Sequence, residues 1–440
     1  MTTEEPSMTD IALLSMDIRS EPSPLESGEF GHRAEIVDCY QLAQAELSRF
    51  AVVAVVSMID QEYLARHRGV IRSYLDGGGV LLFGGQLHRD WLPGASRFVA
   101  IDPPSLQAYR VTEIAEHPIF AGVEPDDLTF RRGVAGFFAR GHHPPPPGAE
   151  VLVRLCGGEP VTYIDRVSTG GTVILHANGD LLGYGSGTDS TATRLPGQLL
   201  DWALAEAARR RAVAPPSAAA EEPIESTHPV VEHRGTGLSA VYGGSAQHHR
   251  ALTLPKYARH LSGGLHYLPD LAETDLTGYD GLFIPERLHR GLLTRAADRI
   301  LALLEAGGTV LTFSGGEPLP DFLPGVSWAH RPTNFWWWLE PGADLGLHSP
   351  TPDHPLFDHL QIRDCSWHHH GVLDPPAGAE VLVALPTGEA LLYVDRVSTP
   401  GTLVVSTLDP LSHFGGHFMP ATERFLDGFL PWAASTPATR

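Results

Sequence analysis

The sequence predicts an α/β protein built twice from one unit, and three observations predict it. Gly148 to Val173 (GAEVLVRLCGGEPVTYIDRVSTGGTV) aligns without a gap with Gly378 to Leu403 (GAEVLVALPTGEALLYVDRVSTPGTL), at a shift of 230 residues with 17 of 26 positions identical. A fixed shift over a block this long marks an internal duplication. Continuous β-branched runs such as Ala51 to Val56 (AVVAVV) have the composition of strands covered on both faces. These runs alternate with helical spacing and tight glycine turns, the pattern of βαβ units with a parallel sheet and right-handed crossovers.

In the first copy, Ile11 to Met16 (IALLSM) is an apolar run bounded by polar residues and reads as a buried strand. Arg33 to Phe50 is expected to combine a short strand at Ile36 to Cys39 with an amphipathic helix. Asp60 to Leu75 has helical spacing, with Tyr63, Leu64, Val70, Ile71, Tyr74 and Leu75 on one face, and stops at Gly77-Gly78-Gly79. Val80 to Phe83 is the next strand, ending on Gly84-Gly85. After His117-Pro118, short runs at Val151 to Leu155, Val161 to Ile164 and Thr172 to Leu175 suggest a meander, and a helix over Leu195 to Arg211 closes the copy.

Ala212 to Thr227 is rich in Pro, Ala and Glu and reads as a semi-extended linker. The predicted domains are therefore 1–211 and 228–440, joined by 212–227. In the second copy the strands are Leu238 to Tyr242, Gly281 to Ile284 and Val310 to Phe313, the last matched to Val80 to Phe83. Helices are expected at His248 to His260 and Thr294 to Ala306. His354-Pro355 repeats His117-Pro118, and the meander recurs at Val381 to Leu385, Leu391 to Val394 and Thr402 to Val405.

The 440 residues carry a formal charge of -21, with 52 acidic side chains against 31 basic, and Lys256 is the single lysine. Such a field repels phosphate backbones, which argues against general nucleic-acid binding. The three cysteines, Cys39, Cys156 and Cys365, stand far apart, so neither a disulfide framework nor a cysteine-rich zinc site is expected. No apolar run approaches the ~20 residues that span a bilayer, and Met1 to Asp10 lacks a signal pattern. The expectation is a cytoplasmic protein without membrane association.

The order of motifs carries a resemblance. A Gly-Gly-(Gly/Thr)-Val strand is followed by His-Pro-(Ile/Leu), then Gly-Glu-(Pro/Ala), then Gly-Thr-(Val/Leu), then a late helix bearing Trp202 or Trp432, and the series occurs twice. This resembles the class I glutamine amidotransferase-like superfamily and, within it, the ThuA-like branch. The resemblance implies a flavodoxin-like three-layer fold, and with the duplication the expectation is two tandem α/β domains of that kind with a mainly parallel central sheet, the copies paired within the chain. In amidotransferases a cysteine follows the Gly-Gly-x-Val strand; here the matched positions are read as Gly84 and Ser314, so thiolate chemistry has no candidate.

Ligands of open α/β sheets bind beyond the carboxyl ends of the strands. In the second copy those ends carry Gly243, Gly244 and His248, then Glu286 and Arg287, then Ser314, Gly315 and Gly316. The first copy offers Ser57, Met58, Gly84 and Gly85, which are chemically poorer. Ser314 is either a nucleophile on a strained turn or a turn-closing serine. His368 and His370, alternate residues of an extended run, could share a metal-binding face, or could be solvated or core histidines. His413 joins the candidate ligand-binding residues. Phe335-Trp336-Trp337-Trp338 is either a core wedge before a strand at Leu345 or an aromatic platform. The expected function is a non-catalytic, cofactor-free binding or scaffolding protein for a small polar or anionic ligand or a protein partner. The alternative is a serine- or metal-dependent hydrolase of a small amide, ester or sugar-derived substrate.

Overall fold

Every continuous β-branched run named above forms a strand with almost no solvent exposure, because each is roofed by helices or loops on both faces of a sheet. The computed structural model describes residues 10–18, 25–26, 30–185, 188–213, 235–417 and 419–435. The chain divides into two units, Met1–Met16 with Pro22–Ser226 and Asp17–Glu21 with Thr227–Arg440. The expected linker lies outside the described residues from position 214 onward.

The first unit contains β1 (Ile11–Ser15), β2 (Ala34–Asp38), β3 (Val52–Val55), α1 (Gln61–Arg66), α2 (Arg68–Asp76), β4 (Val80–Gly84), β5 (Val99–Ala100) and β6 (Val111–Ile114). It continues with α3 (Pro125–Thr129), β7 (Gly141–His142), β8 (Glu150–Leu155), β9 (Pro160–Asp165), β10 (Thr172–His176) and α4 (Leu195–Arg211). Its main sheet runs β2-β1-β3-β4-β10-β9-β8-β6. The first five strands are parallel and the last three antiparallel.

The second unit repeats this plan. Its parallel half is built from β11 (Leu238–Tyr242), α5 (Ala246–Thr253), α6 (Pro255–Ala258), β12 (Gly264–Tyr267), β13 (Gly281–Ile284), α7 (Arg290–Arg295), α8 (Ala297–Glu305) and β14 (Thr309–Phe313). Then come β15 (Trp328–His330), β16 (Gly371–Leu373), β17 (Glu380–Ala384), β18 (Ala390–Asp395), β19 (Thr402–Ser406), α9 (Pro410–Gly415) and α10 (Pro420–Ser435). The order is β12-β11-β13-β14-β19-β18-β16-β15, with β17 pairing β18. Numbered along the chain, the five parallel strands of each unit stand in the order 2-1-3-4-5, the flavodoxin-like arrangement. Both units are thus mixed, mainly parallel α/β sheets of a three-layer kind, each with its own apolar core.

The blocks on which the copies agree are scaffold. In each Asp-Arg-Val-Ser-Thr segment the aspartate closes the turn after its strand. Asp165 Oδ1 accepts from the Val167 and Ser168 N–H groups at 2.8 and 3.1 Å, and Asp395 Oδ1 does the same for Val397 and Ser398. The His-Pro pairs are helix starts: His117 Nδ1 accepts from the Ile119 N–H at 3.3 Å and His354 Nδ1 from the Leu356 N–H at 3.2 Å. Each imidazole also meets the late helical tryptophan edge-on, His117 with Trp202 and His354 with Trp432.

The hydrogen bonds correct one matched position. The Thr172 N–H binds Gly79 O while the Thr402 N–H binds Gly308 O, so β4 and β14 correspond at a shift of 229 and Val80 matches Thr309. The Gly85 and Ser314 N–H groups then bind His176 O and Ser406 O, which makes Gly85, not Gly84, the counterpart of Ser314. Matching valine to valine misplaces the register because the first copy has one more glycine before its strand.

Four other expectations are revised. Residues 39–50 form only single 3-10 turns, Cys39–Gln41 and Leu47–Arg49, and no α-helix. The helix expected over Asp60 to Leu75 is split at His67 (φ -103°, ψ 22°). Helix breaks also occur before Pro255 and at Ala296. Leu345 lies in no strand, and the nearby pairing is an isolated bridge from His348 to Ala384.

Candidate metal centre

The carboxyl ends of β11, β13, β14 and β19 lie along one edge of the second sheet, since these strands are mutually parallel. That edge receives Gly243 and Gly244, then Glu286 and Arg287, then Ser314 to Glu317, then Asp409. His368 and His370 come from the segment that enters β16, and His413 stands on α9 one turn after Asp409. The spacing of four places Asp409 and His413 on one face of that helix start.

These four side chains converge. Asp409 is fully buried, and His368 and His370 are 7% and 6% exposed. Asp409 Oδ2 is 3.0 Å from His413 Nε2 and 3.2 Å from His370 Nε2, and Oδ1 is 3.9 Å from His368 Nε2. His368 Nε2 and His413 Nε2 are 2.9 Å apart. All four donor atoms lie within 4.8 Å of one another. Four ligands at about 2.0–2.1 Å from a tetrahedral ion are separated by roughly 3.3 Å, so the set already has the dimensions of a coordination shell. Three imidazole nitrogens and one carboxylate suit zinc, cobalt, iron or manganese rather than magnesium or calcium.

Neighbouring groups fix the donors. Trp367 donates its indole N–H to Asp409 Oδ1 at 3.2 Å, which leaves Oδ2 toward the imidazoles. The Trp367 carbonyl in turn accepts from Trp337 Nε1. The Phe335 ring lies 4.8 Å from that of His368 and 5.4 Å from that of His370. Burial would raise the Asp409 carboxyl, but His413, His370 and His368 hold it well below the usual carboxylate range. Burial pushes His368 down to about 3, so it is a neutral imidazole suited to ligation.

A second group of acids adjoins the histidines. Glu286 is fully buried; its Oε1 accepts from the Ser412 N–H at 2.7 Å, while Oε2 has no hydrogen-bond partner. Burial, then the charge of Asp409, pushes this carboxyl up to about 8. Arg287 is in the left-handed region (φ 61°), a conformation unusual for any residue but glycine and held here by its N–H bond to Glu317 Oε1 at 2.7 Å. Its guanidinium comes within 3.5 Å of Asp409 Oδ2. Gly315 permits this approach, because a Cβ there would stand 2.9 Å from Arg287 Nε and 3.2 Å from Glu286 Cγ. Burial also raises Glu317, whose Oε2 has no partner.

The remaining candidates have scaffold contacts. Ser314 Oγ donates to Glu317 O and accepts from the Gly316 N–H at 3.3 Å, so both its partners are backbone and neither is a base. His248 Nε2 lies 2.9 Å from Glu286 O, and burial lowers this imidazole to about 4. It supports the Glu286 backbone. Gly243 leaves room for that ring, where a Cβ would sit 3.0 Å from His248 Nδ1, and Gly244 turns the chain at φ 75°. The aromatic run is no core wedge: Phe335 and Trp338 are 36% and 47% exposed. Sequence reasoning found His368, His370, His413, Glu286 and Arg287, and missed Asp409, Glu317 and Trp367. The missed signal is Asp409 four residues before His413 in the segment that follows the last parallel strand.

The first unit holds none of this chemistry at the corresponding places. The Ile101 N–H to Arg140 O bond matches that from the Arg331 N–H to His370 O, and Ala177 N–H to Val161 O matches Thr407 N–H to Leu391 O. At that shift of 230, Phe138, Arg140, Gly179 and Gly183 replace His368, His370, Asp409 and His413. At the shift of 229, Ser57 and Met58 replace Glu286 and Arg287.

No family model matches the chain and no curated protein matches it. Solved structures similar to it include a cytoplasmic protein STM3548 from Salmonella typhimurium, at 15% identity and a TM-score of 0.28 over 38% of this chain and 80% of that one. The exo-beta-1,4-mannosidase Op5Man5 from Opitutaceae bacterium strain TAV5 gives 12% and 0.27, over 55% of this chain and 39% of that one. A beta-galactosidase from the psychrophilic Marinomonas ef1 gives 12% and 0.24, over 89% and 53%. Likenesses at these levels assign no family. Among the described residues no helix is long and apolar enough to cross a membrane.

Proposed function

We propose that the second unit binds one divalent transition-metal ion through His368, His370, Asp409 and His413 and uses it to hydrolyse a small amide or ester. The observation that carries this reading is that, among the described residues, the four-donor shell occurs in one copy only. The first unit keeps the same strand order with Phe138, Arg140, Gly179 and Gly183 in those places, so the fold does not need an ion to form. A unit with its own large core has no use for a structural staple. The ion would polarise a carbonyl and acidify water at a site that Arg287, Glu286 and Glu317 surround.

The motif order supports placing both units in the amidotransferase-like superfamily, on its ThuA-like branch, but with different chemistry. Cys39 and Cys365 are buried with thiols raised by that burial, and Cys156 is at the surface away from the turn after β4. A thiolate mechanism therefore has no nucleophile. A second reading, ion-dependent ligand binding without turnover, is favoured by one observation: four protein donors fill a tetrahedral shell. Five-coordinate ions keep a position for water, which separates the two readings.

The test is metal analysis and titration of the full chain. One zinc or cobalt ion per chain is expected, with affinity falling about 100-fold or more in His368→Ala and Asp409→Asn, while Ser314→Ala retains it. Saturating metal at 100 times its Kd should stabilise the second unit by about 2.7 kcal/mol. The loaded chain should hydrolyse 4-nitrophenyl acetate faster than the stripped chain. Absence of stoichiometric uptake would overturn the proposal; uptake without turnover would leave the binding reading.

A further inference from the structure

Resting on that metal reading, the geometry points to Glu286 as the proton acceptor of the site, the residue that takes a proton from the attacking water and returns it to the leaving group. Four observations converge on this side chain, which accepts a proton in its ionised form, above about pH 8. It is fully buried and its Oε2 lacks a hydrogen-bond partner, an arrangement that is costly unless a ligand or water fills the place. Its other oxygen is pinned by the Ser412 N–H, inside the helix that carries Asp409 and His413, so the side chain is oriented by the element that presents two of the donors. Its backbone is fixed as well, through the bond between His248 Nε2 and Glu286 O. Finally, Glu286 is replaced by Ser57 in the copy that lacks the four donors, so the acid and the shell are present together and absent together.

Glu317 is the other buried acid, and the structure gives it a different task. Its Oε1 holds the N–H of Arg287 in the left-handed turn, whereas Glu286 Oε1 is held by the Ser412 N–H beside His413. Glu317 positions Arg287; Glu286 faces the donors.

The step balances without a further reactant. A water O–H bond breaks and its proton passes to Glu286 Oε2, while the water oxygen bonds to the substrate carbonyl carbon. The C–N or C–O bond to the leaving group then breaks, and Glu286 gives the proton to the departing nitrogen or oxygen. No electron leaves or enters the site, and the products are a carboxylic acid and an amine or alcohol.

The experiment uses the full chain loaded with Co(II), whose visible spectrum reports the ligand shell, and two probes. Acetohydroxamate loses a proton when it chelates a metal, so its affinity reads the proton acceptor without turnover; 4-nitrophenyl acetate reads hydrolysis. Glu286→Gln replaces the carboxylate oxygen that accepts from the Ser412 N–H with an amide oxygen that can do the same, and is expected to retain one cobalt per chain within about 3-fold of wild-type affinity. It should bind acetohydroxamate at least about 10-fold more weakly and lose about 100-fold or more of any ester hydrolysis, with Glu286→Asp recovering part of the hydroxamate affinity. Unchanged hydroxamate affinity in Glu286→Gln overturns the assignment. Loss of cobalt from that variant also overturns it, since it makes Glu286 a ligand. A wild-type chain that takes up no cobalt brings down the metal reading itself, a failure that does not resemble the other two.

Discussion

His176 shows what burial does to a single titrating side chain in this protein. Its Nε2 lies 2.9 Å from Phe138 O and its Nδ1 2.9 Å from Thr162 Oγ1, an arrangement that one neutral tautomer satisfies: Nε2–H donates and Nδ1 accepts from the hydroxyl. Burial lowers this imidazole to about 4, against about 6.5 in the unfolded chain. Between those values the unfolded chain binds a proton that the native one refuses. Stability is therefore complete above about pH 6.5, falls as the pH drops, and stops falling below about 4. The loss at this one residue should be of order 1–3 kcal/mol. Urea melts at pH 7 and pH 4.5 measure the total, to which the buried His143, pushed down to about 3, also contributes, and His176→Gln, which can make both bonds without titrating, should shrink the difference by the His176 share. Other residues of the molecule were readable from type and place alone: Glu286 and Arg287 stand where a parallel sheet presents its ligands, and His368 and His370 alternate along one extended run. Asp409 was not, because an acid before a proline looks like an ordinary helix cap until the imidazoles around it are seen. Ser314 shows the converse: its position is that of a nucleophile, but its hydroxyl closes a turn.

At the scale of elements, identity between the copies marks scaffold, and difference marks the site. The Asp-Arg-Val-Ser-Thr turn is the clearest instance. Asp395 is buried and accepts from two backbone N–H groups. Removing it in Asp395→Ala leaves two donors without that acceptor, at about 1–3 kcal/mol. The expected result is a lower melting temperature for the second unit with metal content unchanged, measured by calorimetry alongside metal analysis; an unchanged melt would remove the turn from the list of stabilising elements. The helix boundaries were less readable than the strands. An amphipathic pattern continues across His67 and Ala296, where the backbone does not, because the pattern reports which face is buried and is blind to a local change of φ and ψ. The aromatic run stayed open between core wedge and platform because size argues for burial; Phe335 and Trp338 remain accessible, and Phe335 flanks the histidines.

Across the whole chain, two sheets of the same order were visible in advance because a gapless block and recurring glycine turns determine topology more tightly than any single motif. The same near-identity has a kinetic consequence. While the chain is unfolded, β8 to β10 of one copy and β17 to β19 of the other compete for the same neighbour. The edge of β4 accepts β10, and the edge of β14 accepts β19, through equivalent backbone bonds from Thr172 to Gly79 and from Thr402 to Gly308. An exchanged pairing satisfies the backbone of both strands but traps the packing of each core, and it arises within one molecule, where effective concentrations are high. Refolding of the whole chain from urea should therefore show a slow phase whose rate and amplitude do not change with protein concentration. Replacing the first block's shared residues Val151 and Val153 with isoleucine should shrink that phase, because the swapped strands no longer fit the other core. Interrupted-refolding assays that find one fast phase in both proteins would show that each copy closes on itself before the other is available.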